Sequence, residues 1–199
     1  MDDELLQQIN KYVKNHVDEK RYVHTLGVAY TACALAMCHG ANIQDAKLAG
    51  FLHDSAKCMT TEKKIHKCEK YQIKITKVER DNPFLLHGKV GACLSKYKFG
   101  IENEDILNAV TYHTTGRPGM SMLEKIIYIA DYIEPNRNQI PGLDEVRALA
   151  FKNLDATVLK ILENTLNYLK GKGAVIDAMS QETYEYYKKL MTDRKDGII

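Results

Sequence analysis

Apolar residues recur at helical spacing along most of this chain. Near its start they predict an amphipathic helix, with apolar positions at Leu5, Leu6, Ile9, Tyr12 and Val13. The same periodicity predicts further helices over residues 18–39, 42–54, 60–70, 85–98, 102–114, 120–134, 143–173 and 180–195. Residues 71–78 could form a short strand but are equally typical of a loop. The predicted fold class is therefore all-α.

Residues that favour helix ends mark several boundaries of these helices. Gly40 is a natural C-terminal stop for the second helix, and Thr60 or Thr61 can cap the helix that follows. Asn82-Pro83 indicates a turn, and Pro135 ends the helix before it. The second helix places apolar and small residues on related faces, which permits close packing: Val23, Gly27, Tyr30, Ala34 and Met37.

The chain is expected to form a single domain. No period of 20 to 50 residues repeats, and no Pro-rich or Gly-rich linker divides the sequence. We place the core at about residues 18–150 and expect helices within residues 151–199 to pack on it.

Composition excludes several classes of function. The 28 Lys and Arg residues nearly balance the 26 Asp and Glu residues, so no general positive field attracts a nucleic acid. The acidic, amphipathic start and the absence of a long apolar stretch predict a cytoplasmic protein without a membrane partner. The five cysteines contain no C-x-x-C pair and are interpreted as reduced thiols.

Histidines and acids on different predicted helices indicate a metal centre. Four imidazoles lie on separate helices or at their ends: His24, His53, His87 and His113. Helical bundles build metal sites by projecting such side chains inward. Asp54 adjoins His53 at a helix end, and its two oxygens can bridge two metals. Asp131 lies in an apolar run, where a carboxylate must bind a metal or form a salt bridge. Histidines that merely pack remain the alternative.

The order of these residues resembles the HD superfamily of metal-dependent phosphohydrolases, in the branch with two extra histidines before the final Asp. More narrowly, the chain resembles the bacterial YqeK family of symmetrical diadenosine tetraphosphate hydrolases, in segments 21–28 (RYVHTLGV), 49–57 (AGFLHDSAK), 87–92, 109–137 and 143–150. The resemblance implies an HD-domain helical bundle with a dinuclear metal centre. One metal would be held by His24, His53, Asp54 and Asp131, and a second by Asp54, His87 and His113.

The resemblance suggests iron at both positions, although this nitrogen and oxygen ligand set also suits manganese, zinc or nickel. It further implies a cut at the centre of diadenosine tetraphosphate to give two ADP. Two metals about 3.5 to 4 Å apart would share a water and convert it to a bridging hydroxide that attacks phosphorus in line. We expect Asp54 and Lys57 to be catalytic, because Lys57 follows Asp54 by about one helical turn.

Several polar residues near the ligands are expected to bind the substrate. The phosphate-binding candidates are Arg21, Thr114, Thr115, Gly116 and Arg137. The adenine candidates are Tyr22, Tyr112, Tyr128 and Tyr132. For Lys57 the alternative is a solvated lysine, and for Arg137 it is a surface arginine. For residues 114–116 the alternative is a Gly-Pro turn.

Two other functions stay open at this stage. One is an HD phosphohydrolase acting on a nucleoside monophosphate, a dNTP or a guanosine alarmone. The other is a nucleotide-binding regulator with little turnover. The expected partner is a small nucleotide, and a homodimer is left open.

Overall fold

The structure, a computed structural model that describes residues 3–137 and 140–196, contains eleven α-helices within those ranges. They are α1 (Asp3–His16), α2 (Glu19–His39), α3 (Ile43–Leu52), α4 (Thr61–Lys70), α5 (Lys77–Asp81), α6 (His87–Phe99), α7 (Glu104–Tyr112), α8 (Met122–Ile133), α9 (Leu143–Ala150), α10 (Leu154–Gly171) and α11 (Ala178–Lys195). A 3-10 turn, Pro83–Leu86, precedes α6. The described residues contain no strand, so the all-α prediction is confirmed.

The predicted helix ends are formed by the expected capping residues. Gly40 ends α2 with a φ of 72°, and the Thr60 side chain accepts a hydrogen bond from the Lys63 N–H at the start of α4. The helix predicted over residues 42–54 ends at Leu52, so the pair His53 and Asp54 lies just beyond a helix end. Residues 71–76 form a loop, and the short α5 that follows was not predicted.

Four helices, α2, α3, α7 and α8, form the centre of the fold. Helix α2 packs against α3 and α8, and α7 packs against α6 and α8. Helix α10 covers α8 and is itself covered by α11. Asp155 of α10 joins these layers, because it accepts hydrogen bonds from Lys125 of α8 at 2.9 Å and from Arg194 of α11 at 2.7 Å. No helix in the described ranges has the length and apolar character needed to span a membrane.

The packing face predicted for α2 was right at Gly27, which lies against Glu134, but wrong for its larger residues. Val23, Tyr30 and Met37 are exposed, with 43%, 59% and 63% of their surface accessible. The buried face of α2 consists mainly of small residues and includes Ala29 and Ala32. Because this helix is apolar around most of its circumference, the larger side chains did not mark the face that enters the core.

The close contact between α2 and α3 depends on Gly50. A Cβ atom at this position would lie 2.6 Å from the Cα atom of Ala29 and 3.1 Å from its nitrogen. Since both atoms belong to the backbone of α2, no side-chain rotation can relieve the overlap. Helix α2 carries His24 and α3 leads into His53, so this contact also sets the separation of two predicted ligands.

We therefore predict that Gly50→Ala lowers the free energy of unfolding by about 1 to 3 kcal/mol, because α2 and α3 must move apart. Denaturant-induced unfolding followed by circular dichroism measures the change. Gly171→Ala is the matched control, since nothing lies within 4 Å of a Cβ atom at that helical position. Equal stability of Gly50→Ala and the unsubstituted protein would contradict the packing described.

Candidate metal centre

Four imidazoles from different parts of the chain meet in the interior of the helical bundle. His24 lies on α2, His53 follows α3, His87 begins α6 and His113 follows α7, and all four side chains are buried. The His53 ring lies edge-on to those of His24 and His113, with centroids 5.4 and 5.1 Å away. The His87 and His113 rings are 4.9 Å apart. The four predicted histidine ligands are therefore in contact with one another.

Backbone carbonyls fix the orientation of three of these rings. The Nδ1 atom of His53 donates to the Gly50 carbonyl at 2.7 Å, and that of His113 donates to the Val110 carbonyl at 2.7 Å. His87 makes the equivalent bond to the Phe84 carbonyl at 2.6 Å. Each carbonyl lies three residues earlier, in the last turn of a helix or 3-10 turn, where backbone acceptors lack intrahelical partners. A carbonyl can only accept, so Nδ1 carries the proton and Nε2 carries a lone pair.

The Nε2 lone pairs converge on a small region. The Nε2 atoms of His87 and His113 are 3.0 Å apart, and both rings hold their proton on the opposite nitrogen. Burial lowers the pKa of both His53 and His87 to about 4, so these rings are neutral at neutral pH. Neutral imidazoles with converging lone pairs are suitable ligands for a cation.

Two carboxylates complete two groups of potential ligands. Asp131 Oδ1 lies 3.0 Å from His24 Nε2 and 3.9 Å from His53 Nε2. Asp54 Oδ1 lies 3.3 Å from His87 Nε2 and 3.5 Å from His113 Nε2, whereas its Oδ2 lies 3.6 Å from His53 Nε2. The donor atoms of His24, His53 and Asp131 lie within 4.8 Å of one another, as do those of Asp54, His87 and His113. Asp54 therefore faces both groups.

Unpaired buried atoms show that these residues suit a metal. Among the described residues, four buried side-chain atoms have no hydrogen-bond partner: His24 Nε2, His53 Nε2, Asp54 Oδ1 and Ser55 Oγ. The first three belong to the two groups. An unpaired polar atom in the interior is destabilising by about 1 to 3 kcal/mol. Divalent cations held by the two groups would satisfy these three atoms.

Cations surround the two carboxylates. Arg21 Nη1 donates to Asp54 Oδ2 at 2.7 Å, and Arg137 Nη2 donates to Asp131 Oδ1 at 2.7 Å. Lys57 Nζ lies 3.7 Å from Asp54 Oδ1 and donates to His87 Nε2 at 3.0 Å. Burial alone would raise the pKa of both carboxyls, but the neighbouring histidines and cations hold the pKa of each well below its usual range. Both acids are therefore ionised at neutral pH.

The structure brings only some of the predicted phosphate-binding residues to this centre. Besides Arg21 and Arg137, Thr114 is there, with its Oγ1 atom 3.1 Å from His113 Nε2. The Thr115 hydroxyl instead donates to the Gly116 carbonyl at 2.9 Å. The Gly116 N–H donates to the Tyr112 carbonyl at 2.8 Å. The Thr183 side chain packs against the α-carbon of Gly116. The Gly116 N–H thus closes the end of α7, and the Thr115 hydroxyl is bonded locally. The phosphate contacts of both residues stay predictions.

The sequence did not identify Glu134, a buried acid that contacts the Nδ1 side of the His24 ring. Its Oε1 atom lies 3.1 Å from His24 Nδ1, and its Oε2 atom accepts from the Asn136 backbone N–H at 2.7 Å. Gly27 leaves the space for this carboxylate, because a Cβ atom there would overlap Glu134 Oε2. A carboxylate behind a metal-binding imidazole fixes the tautomer and ring orientation. The available signal was an acid directly after the apolar α8.

Known proteins resemble this chain over most of its length. A family model described as HD domain matches residues 21–136, a range that contains all six predicted ligands. A Bacillus subtilis protein named bis(5'-nucleosyl)-tetraphosphatase, symmetrical, is 43% identical, and the match covers 87% of this chain and 92% of that protein. A protein of the same name from Halalkalibacterium halodurans is 40% identical, with coverage of 92% and 95%.

A solved structure has the same fold. It is a crystal structure from Clostridium acetobutylicum, described as a predicted HD superfamily hydrolase involved in NAD metabolism. The TM-score is 0.89 at 41% sequence identity, and the match covers 92% of this chain and 97% of the other. At this similarity the helical architecture around the six residues is shared.

We predict that Glu134→Ala weakens metal binding by roughly 10 to 100-fold, because His24 loses the contact that orients its ring. Glu134→Gln keeps a hydrogen-bond acceptor and should lose less. Equilibrium competition with a chelator of known affinity measures the metal dissociation constant, without reference to turnover.

The control for this prediction is Glu124→Ala. Glu124 is equally buried but pairs with Arg117 at the start of α8, so its loss should lower stability and leave metal affinity near that of the unsubstituted protein. Unchanged affinity in Glu134→Ala, or an equal loss in both variants, would exclude a specific action of Glu134 on His24.

Proposed function

The chain belongs to the HD domain family, and on that basis we propose that it is a metal-dependent phosphohydrolase that cleaves diadenosine tetraphosphate symmetrically to two ADP. The observation that carries this proposal is the position of Asp54 between two histidine groups, with one oxygen toward each. The two relatives named for this activity match nearly the whole chain, so the site as well as the scaffold lies within the similar region.

We assign two divalent metals to the centre. One is held by His24, His53, Asp131 and an oxygen of Asp54, and the other is held by His87, His113 and the second oxygen of Asp54. When bound, the metals supply Lewis-acid activation of both a water and the phosphate. Iron stays the proposed metal by family resemblance, and manganese, zinc and nickel suit the same ligands.

The cations around the centre are suited to an anionic substrate. Lys57 has its ammonium group beside both Asp54 and His87, where it would stabilise negative charge that develops on phosphorus oxygens. Arg21 and Arg137 line a cavity of about 260 Å³ together with Lys20 and His24, and the acids Asp18 and Glu134 also line it. A tetraphosphate chain lying in this cavity would meet three positive side chains next to the metal ligands. Thr114 adds a hydroxyl at the opposite group.

The competing functions make different demands on the site. A regulator with little turnover has no need for two complete ligand groups or for Lys57 beside them. Another nucleotide substrate would be compatible with the same ligands, and the products separate that case from the proposal. A cytoplasmic location and the absence of a nucleic-acid partner stay predictions from the sequence. A homodimer stays open.

We expect the purified, iron-loaded protein to convert diadenosine tetraphosphate to ADP alone, as resolved by anion-exchange chromatography. Asp54→Ala should yield no product and bind little metal, because both groups lose their shared ligand. Lys57→Ala should bind metal near normally and give the same product with a kcat lower by roughly 10-fold or more. A mixture of ATP and AMP would contradict symmetrical cleavage, and an untouched dinucleotide would contradict the substrate.

A further inference from the structure

A cleft of about 610 Å³ lies beside the metal centre, between the C-terminal parts of α8 and α10. Its lining includes Tyr132, Arg137, Ile140, Pro141, Asn164 and Tyr168. We call it the α8–α10 cleft. Its volume is within the range of sites that enclose a small organic ligand.

Arg137 joins this cleft to the metal centre. The same residue lines the α8–α10 cleft and the smaller cavity that contains His24 and Arg21. Its guanidinium donates to both the side chain and the backbone carbonyl of Asp131, at 2.7 and 2.9 Å. Tyr132, the next residue after Asp131, forms another part of the cleft wall. A ligand in the cleft would therefore lie next to a residue that touches a metal ligand.

Further hydrogen bonds hold the segment that carries Arg137 in place. Arg147 of α9 donates to the carbonyls of Ile133 and Glu134, each at 3.0 Å, and to that of Arg137 at 3.4 Å. The segment after α8 is thus tied to α9 by one guanidinium. These bonds hold the backbone around Arg137, the residue shared by the cleft and the metal centre.

The side chains of the cleft match a purine nucleoside. Tyr132 and Tyr168 offer aromatic rings, and Ile140 and Pro141 offer apolar surface for the faces of a base. Asn164 and Asn167 bring amides that can both donate to and accept from a base edge. One hydrogen of the Asn164 amide is donated to the Tyr132 hydroxyl at 3.4 Å, and its second hydrogen and its oxygen can serve a ligand. The residues that line the cleft in the described part of the chain include no acid, which favours a ligand attached to phosphate.

The other predicted adenine candidates are less suited to this role. Tyr128 is buried in the core, with 5% of its surface exposed. Tyr112 and Tyr22 are not among the residues that line the α8–α10 cleft. Tyr132 is the one among the four that lines the α8–α10 cleft.

From this arrangement we propose that the α8–α10 cleft binds one adenosine of the substrate, while Arg137 holds the phosphate chain between that nucleoside and the metals. This assignment rests on the proposed function, because it takes the ligand to be a dinucleotide with a nucleoside at each end. Stacking and amide contacts in the cleft would then select a purine, and the cations at the metal centre would select the phosphates.

Photoaffinity labelling tests this assignment without turnover. The metal-loaded protein is irradiated with ADP that carries an azide on its adenine ring, and the labelled peptides are identified by mass spectrometry. We expect ADP-competed labelling at Tyr132, Tyr168 or residues 140–141, and a severalfold loss of labelling in Asn164→Ala. Labelling confined to another surface, such as the cavity lined by Tyr71 and Tyr97, would overturn the proposal.

Kinetics provide the second arm of the test. Tyr168→Ala should raise KM for diadenosine tetraphosphate by about 10-fold and change kcat little, since stacking contributes to binding rather than to chemistry. Tyr97→Ala is the control, because Tyr97 is similarly exposed and lies outside the cleft. An unchanged KM in Tyr168→Ala, with ADP still the sole product, would contradict adenosine binding in the cleft and leave the proposed function intact. If the unsubstituted protein produced no ADP, the proposed function would be contradicted. The labelling experiment would still test whether the cleft binds the nucleoside.

Discussion

The metal centre depends on hydrogen bonds between imidazole Nδ1 atoms and backbone carbonyls at helix ends. His53, His87 and His113 each bond to the carbonyl three residues earlier. A helix leaves its last carbonyls without partners, and a histidine placed at that point satisfies one of them while its other nitrogen turns inward. The same bond stabilises the helix end and prepares a metal ligand. His24, within α2, has no free carbonyl in reach and uses Glu134 instead.

The charged groups of the metal centre are two carboxylates with cationic side chains around them. Two ionised carboxylates lie among four imidazoles, and three cationic side chains surround the carboxylates. Arg21 and Arg137 partly offset the negative charge of the acids. The cavity beside His24 and the α8–α10 cleft meet at Arg137, so one residue connects the proposed metal, phosphate and nucleoside positions.

The sequence was sufficient to predict the helices other than the short α5, and the types of residue at the centre, because helical periodicity, capping residues and paired histidines are local signals. It could not identify the buried face of α2, where alanines rather than the larger Tyr30 enter the core. Glu134 was missed because its importance arises from contact with His24, 110 positions away. The pattern TTGRPG did not reveal that the Gly116 N–H closes α7 and that the Thr115 hydroxyl bonds to the Gly116 carbonyl.

Four imidazoles present Nε2 to the proposed metals while holding their protons on Nδ1. Long-range proton–nitrogen correlation NMR at mildly alkaline pH, with zinc as a diamagnetic probe, measures the state of each ring nitrogen. We expect zinc to shift the Nε2 resonances of His24, His53, His87 and His113 and to leave those of His16, His39 and His66 unchanged. Coordination through Nδ1, or any of the four rings unaffected by saturating zinc, would contradict this expectation.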